Sequence, residues 1–162
     1  MTEEETQDKC IIAIRIRGTV SAKREARETL QMLHLTRNNY AVLIDNRKSF
    51  LGMLQTVQSY VTWGEISKEV LYSLIRAKGR ITGNKKLTEE YIKKAGYTSL
   101  EELAEAITGS HVRYWKLPKI QPYFRLRPPT KGFKGNIKKS YNAGGEAGYR
   151  GEKINELIKR MF

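Results

Sequence analysis

The chain has 162 residues, is 40% hydrophobic and 29% charged, and sets 30 Lys and Arg against 17 Asp and Glu for a net charge of +13. That length suits one domain, or a small domain with an appendage, and so large a cationic surplus points to a polyanionic partner. The single cysteine, Cys10, excludes an intrachain disulfide and a cysteine-based metal site, and no stretch approaches the roughly 18 apolar residues of a membrane span.

Residues 1–8 begin Met1-Thr2-Glu3-Glu4-Glu5, acidic and polar, the reverse of a secretory or organellar leader. They predict a frayed tail on an intracellular, cytoplasmic chain. Residues 10–17 predict a first strand, with Ile12, Ile14 and Ile16 alternating with Ile11, Ala13, Arg15 and Arg17. The second face turns cationic, so that end of the strand is expected to leave the core. Gly18 closes it. Ser21 offers an N-cap to a helix over 22–33 with Ala22, Ala26, Leu30 and Leu33 on one stripe. Thr36, Arg37, Asn38 and Asn39 form a turn before a strand over 40–45. Asn46, Arg47, Lys48 and Ser49 then lead into a helix over 50–59, followed by a strand over 60–65. Three strands and two helices over 9–66 predict a β-α-β-α-β two-layer core.

Residues 67–117 predict an added helical unit. Ser67 opens a helix that Gly79 ends, with Val70, Leu71, Leu74 and Ile75 sharing a face. Thr88 precedes two acids and a helix that stops at Gly96. Ser99 and Glu102 have the spacing of a capping box, with Leu100, Leu103 and Ile107 inward. From 118 to 151 periodicity disappears, which predicts an extended basic arm ordered by a ligand. Ile154, Leu157, Ile158 and Met161 then mark a final amphipathic helix that has to dock on something.

Charge is concentrated in that last third. Residues 111–162 hold 13 Lys and Arg and three Glu, a net of 13 − 3 = +10, which leaves about +3 for the rest. Cations interleaved with Pro, Gly and aromatic residues suit a nucleic-acid backbone, where they displace condensed counterions. The absence of a readable DNA motif favours RNA. Within the core, Arg37, Asn38 and Asn39 flank the second strand on one side and Arg47, Lys48 and Ser49 on the other. The latter group lies where unpaired helix amides could help hold a phosphate. In the arm, Arg125, Arg127, Lys131, Lys134, Lys138, Lys139 and Arg150 are the candidate RNA contacts. Trp63 and Trp115 are expected in the core or at docking sites. For Tyr123, Phe124, Phe133, Tyr141 and Tyr149, packing and base stacking remain open.

Catalytic chemistry finds no support. The cluster from Gly144 to Gly151 lacks the preceding buried strand and the Gly-Lys-Ser/Thr of a phosphate loop. His34 and His111 are the only imidazoles, and neither has a second ligand nearby in sequence. No enzyme activity, cofactor or metal is expected.

Three runs in order, Leu35-Thr36-Arg37-Asn38-Asn39-Tyr40-Ala41-Val42, Ser49-Phe50-Leu51-Gly52-Met53-Leu54 and Tyr60-Val61-Thr62-Trp63-Gly64, resemble the ribosomal protein family called L-thirty in bacteria and archaea and L-seven in eukaryotes. The tail resembles its long form in Pro122-Tyr123-Phe124-Arg125-Leu126, Pro128-Pro129-Thr130-Lys131-Gly132-Phe133, Gly144-Gly145-Glu146-Ala147-Gly148 and Ile154-Asn155-Glu156-Leu157-Ile158-Lys159-Arg160-Met161. The archaeal type is the nearest likeness. The resemblance implies an α+β fold with a three-stranded antiparallel sheet of order 3-1-2 and both core helices on one face. Connectivity alone would favour parallel strands. It further implies a monomeric, non-enzymatic constituent of the large ribosomal subunit in the cytoplasm, bound to large-subunit ribosomal RNA and neighbouring ribosomal proteins and acting in assembly and translation. The contrasting reading is a general, chromatin-like nucleic-acid-binding protein, which would require a recognition helix with exposed base-reading side chains.

Overall fold

A computed structural model describes residues 9–109 and 111–162; the acidic tail expected over 1–8 lies outside the described residues. The central strand β1 (Cys10–Arg15) is buried at every position. After α1 (Arg24–Met32), β2 (Tyr40–Asp45) pairs antiparallel with one edge of β1. After α2 (Lys48–Thr56), β3 (Val61–Glu65) pairs antiparallel with the other. The order β2-β1-β3 is the antiparallel one that the family likeness implies, not the parallel one that connectivity favours. Ile11 and Ala13 of β1 face α1 and α2, packing with Ala26, Leu30, Leu54 and Val57.

The other face of β1, Ile12 and Ile14, meets the helical unit. Val70, Leu71, Leu74 and Ile75 of α3 (Lys68–Lys78) cover it together with Leu103 and Ile107 of α5 (Leu100–Thr108). Helices therefore lie on both faces, which is why β1 is apolar on both. Between α3 and α5 come a ribbon of β4 (Arg80–Ile81) and β5 (Lys85–Lys86), then α4 (Glu89–Lys94). The expected caps are present: Ser67, Thr88 and Ser99 accept from the amides of Val70, Tyr91 and Glu102. Glu102 closes its box on the amide and hydroxyl of Thr98, one residue before the cap.

Three expectations are corrected. Ser21 does not cap α1: a Thr19–Ala22 turn uses that stretch, and Lys23 takes the N-cap position without a side-chain bond. The Arg15 end of β1 does not leave the core. Arg15 is buried, its Nε donates to the Arg17 carbonyl at 3.0 Å, and its two terminal nitrogens donate to the Leu35 carbonyl at 3.1 Å and to Thr19 Oγ1 at 3.0 Å. Long side chains with satisfied donors can be buried where a sequence pattern reads only charge. Burial holds the pKa of this guanidinium below its ordinary value.

The third correction concerns residues 118–151, which form strands instead of an aperiodic arm. β6 (Tyr123–Arg125) adds antiparallel to β2. β8 (Gly145–Tyr149) adds parallel to β3, and β7 (Asn136–Ser140) pairs parallel with β8. The sheet then reads β6-β2-β1-β3-β8-β7. The edges of a three-stranded sheet present unpaired amides and carbonyls, and pairing with them needs no aliphatic side chains. The chain closes with α6 (Ile154–Lys159), where Ile154, Leu157 and Ile158, with Met161 just beyond, are buried against the β1–α3 side. Gly64 permits this approach, because a Cβ there would lie 2.0 Å from the Gly151 carbonyl oxygen.

Candidate nucleic-acid interface

The loop before β2 is fixed at both ends. Arg15 grips the Leu35 carbonyl, and the amide of Asn39 donates to the Arg15 carbonyl at 2.8 Å. Asn39 has φ +65°, a left-handed conformation that Asn tolerates better than most residues. Its carbonyl accepts from Leu126 at 3.1 Å, so the loop is clamped between β1 and the C-terminal segment. Thr36, Arg37 and Asn38 are left exposed.

The β2–β6 register places Arg125 opposite Tyr40 and Tyr123 opposite Val42. All four side chains share one sheet face. The rings of Tyr40 and Tyr123 stack with centroids 5.1 Å apart and planes 4° from parallel. The Arg125 guanidinium lies 5.8 Å from the Tyr123 centroid. Hydrogen bonding to Tyr123, with a smaller effect of Tyr40, holds its pKa above the ordinary guanidinium value. His34, Thr36, Arg37, Tyr40, Tyr123 and Arg125 line a shallow cleft of about 300 Å³. Two arginines beside a half-buried aromatic pair can hold a phosphate and present a ring face to a sugar or base.

Arg47, Lys48 and Ser49 stand at the far end of β2, a six-residue strand or about 20 Å away. Arg47 is the N-cap of α2 and makes no side-chain cap there, and the positive end of the helix favours an anion beside it. Its Nε pairs with Asp45 at 2.8 Å, and its guanidinium lies over Phe50 at 5.3 Å. Arg113 reaches the same carboxylate at 3.6 Å and lies over Trp115, which packs edge-on against Phe50. Two arginines thus share one acid. Arg113 was not among the sequence candidates, although it begins the basic stretch. Lys48 and Ser49 are exposed.

The remaining candidates lie elsewhere. Lys138 and Lys139 belong to β7, at the opposite edge of the sheet from β6. Lys134 lines a cleft there with Lys153 and Arg160, neither of them a sequence candidate. Lys131 precedes it, exposed, with φ +65°. Arg127 is exposed, and its amide donates to the Met161 carbonyl at 3.0 Å. Arg150 is a correction as a surface contact. It is buried, and its terminal nitrogen donates to Glu146 Oε2 and to the Glu146 carbonyl, both at 2.6 Å, while Nε donates to Thr62 Oγ1 at 2.8 Å. It fastens β8 to β3.

The aromatic residues left open separate in the same way. Phe124 is fully buried and Phe133 packs on the core. Tyr141 covers Arg150 at 5.0 Å. Tyr149 donates to Glu65 at 2.6 Å, which pushes its pKa up to about 12. Only Tyr123 joins the exposed arginines. Trp63 is buried as expected.

Among the described residues, no group of three His, Cys, Asp or Glu could hold a metal ion, and no helix is long and apolar enough to cross a membrane. Burial, reinforced by nearby Asp45, pushes the Cys10 thiol up to about 12, so it is not poised as a nucleophile.

A family model described as ribosomal protein L30p/L7e matches residues 11–61. The chain is 50% identical over 152 residues to a protein of Thermofilum pendens named large ribosomal subunit protein uL30, covering 93% of this chain and 97% of that one. Proteins of the same name from Ignicoccus hospitalis, 50% identical over 95% of this chain and 98% of theirs, and Methanopyrus kandleri, 43% identical over 91% and 100%, are also similar.

Proposed function

The chain belongs to the L30p/L7e family of ribosomal proteins, a structural and non-enzymatic family, and on that premise we propose that it binds and stabilises large-subunit ribosomal RNA as a constituent of the large subunit. In this reading it serves assembly and translation in the cytoplasm, as one copy per subunit beside neighbouring ribosomal proteins. The observation that carries the reading is the pairing of β2 with β6. It brings Arg37 and Arg125, 88 positions apart in sequence, to one cleft beside stacked Tyr40 and Tyr123.

Arg37 and Arg125 take phosphate oxygens, Asn38 and Asn39 contribute polar contacts from the clamped turn, and the tyrosine pair offers a face to ribose or base. Lys48, Ser49 and the Arg47–Arg113 pair form a second contact at the α2 N-terminus. Arg127, Lys131, Lys134, Lys138 and Lys139 extend the cationic surface of the C-terminal segment. Arg150 supports the interface from inside. A chromatin-like reading gains no support, since Lys48 and Ser49, in the first turn of α2, are the only contacts above on a helix, and the others lie on strands and loops and make no recognition helix for a DNA groove.

The test is binding of the purified chain to large-subunit ribosomal RNA fragments across a salt series. About six phosphate contacts give a log–log slope near −4 to −5. Replacing Arg37 and Arg125 with Gln makes the slope shallower by roughly 1.5 units. A slope near zero for the unaltered protein, or equal affinity for duplex DNA, overturns the reading.

A further inference from the structure

We propose that the β4–β5 ribbon of the helical unit is a separate binding element for the sugar-phosphate backbone of RNA, gripped by Lys85, Lys86 and Lys119 with Lys78, Arg80 and Arg127 behind them. It rests on the RNA-binding reading above but uses a different surface. None of these residues except Arg127 belongs to the interface built around β2 and β7.

The ribbon register sets Arg80 directly opposite Lys86 and Lys85 opposite Ile81. Like charges facing each other across an antiparallel pair oppose strand pairing, yet here they are held in place. The turn at 82–84 has Gly83 and Asn84 both left-handed. Thr82 donates to the Lys119 carbonyl through its amide at 2.7 Å and its hydroxyl at 3.0 Å. The amide of Gln121 donates to the Arg80 carbonyl at 2.9 Å, and Ile81 bridges to Ile120. The 119–121 segment therefore fastens the ribbon and delivers Lys119 to its turn.

No acid offsets this charge locally. Among the described residues none of the six cations has an ion pair, while Lys68, Arg24, Arg47, Arg113 and Arg150 all do. The nearest acids in sequence, Glu89 and Glu90, sit in the first turn of α4, where the helix end already favours them. Lys78 records the crowding. Its pKa lies below the ordinary lysine value, through burial first, then repulsion from Arg127 and Arg80. The ribbon backbone is fastened and Arg80 is held by the Ala77 and Gly79 carbonyls, so cations without acidic partners are presented together to a polyanion, which supplies the missing negative charge at little cost in backbone ordering.

The composition favours nucleic acid over an acidic protein segment. Lysine is depleted from protein–protein interfaces, and the ribbon offers no aromatic or large aliphatic anchor on its exposed side. Lys85, Lys86 and Lys119 are exposed and carry no donor–acceptor fork for reading a base edge, so the contact is to backbone and independent of sequence.

The test compares three full-length proteins: the unaltered chain, a ribbon variant K85Q/K86Q/K119Q and a cleft variant R37Q/R125Q. Binding to large-subunit ribosomal RNA fragments is measured across a salt series, with thermal melts to verify folding. Three lost contacts make the slope about 2 units shallower and lower affinity on the order of 100-fold at 0.1 M salt. In parallel, lysine acetylation of assembled large subunits should spare Lys85, Lys86 and Lys119 relative to the free protein. If the cleft variant weakens while the ribbon variant keeps the unaltered slope and affinity, the ribbon proposal falls and the cleft reading stands. Protection from acetylation with an unchanged slope means a protein partner and also overturns it. If the unaltered chain fails to bind RNA, both readings fall together.

Discussion

The strands of residues 10–65 and those of residues 123–149 share one sheet but are held in it by different forces. In β1, β2 and β3 all but two positions are buried, and each strand lies between helices. β6 buries one residue, Phe124, and in β7 four of five side chains are exposed; β8 is buried at four of five positions, but two of those are glycines, which leaves Glu146 and Ala147 as its inward side chains. The first group is fixed by apolar packing on two faces. The second depends on ladder hydrogen bonds along a pre-existing edge, one or two anchors per strand, and the buried Arg150–Glu146 pair. A polar, glycine-rich segment can therefore be ordered while its cations other than Arg150 stay largely outside, which is what an RNA-binding surface requires.

The sharpest way to break this comparison is to remove α6. Truncation before residue 152 deletes Ile154, Leu157, Ile158 and Met161, each no more than 2% exposed. At about 1.5–3 kcal/mol apiece, their loss rivals the entire 5–15 kcal/mol stability of a typical domain. The truncated chain should lose its cooperative urea transition. A transition at the full-length midpoint would show that the first group of strands stands without the C-terminal segment.

The next largest effect separates buried from exposed charge. Glu146 and Arg150 have side chains 8% and 5% exposed, whereas those of Glu28 and Arg24 are 55% and 88% exposed. Glu146→Ala leaves a buried guanidinium without its acid and should cost about 3–5 kcal/mol. Glu28→Ala should cost less than about 0.5 kcal/mol. Urea midpoints of the two variants test this directly. Equal losses would mean that the Arg150–Glu146 pair does not fasten β8 to β3.

The same contrast explains what could be read from sequence. β2 appears with its predicted limits, and Ser67, Thr88 and Ser99 cap the helices they precede, because period-two patterning and capping are local signals. β6 and β8 carry no such signal. They are short, β6 follows Pro122 and β8 contains Gly145 and Gly148, and they become strands only because β2 and β3 offer open edges. Arg15 and Arg150 look like any other arginine in the sequence, and only tertiary partners put them inside. At the candidate interface, Arg37 and Arg125 were each legible as basic residues. Their meeting was not, since it depends on a strand register between positions 88 apart. The ribbon cations escaped notice because the acidic tail and the helical glutamates balance most of the charge of residues 1–110.

The smallest effect sharpens the comparison by pH, since each group of strands holds a thiol or phenol whose pKa is raised. Cys10 lies in β1 and Tyr149 in β8, and both are pushed up to about 12, Cys10 from 9.0 by burial and Tyr149 from 10.0 by its bond to Glu65. A raised folded-state pKa means that the native state holds its proton more tightly than the unfolded chain. That stability is complete below the unfolded value and is lost as pH rises toward the folded one. Cys10 should therefore begin to destabilise the protein above pH 9, by about 1 kcal/mol at pH 10. Tyr149 enters only above pH 10, and it is 49% exposed, so solvent screening keeps its contribution smaller. Urea midpoints at pH 8, 9, 10 and 11 should decline for the unaltered protein. Cys10→Ala should flatten that decline from pH 9 upward and Tyr149→Phe only its last step. If Tyr149→Phe flattened the curve between pH 9 and 10 and Cys10→Ala did not, the burial contrast between the two groups of strands would be wrong at β1.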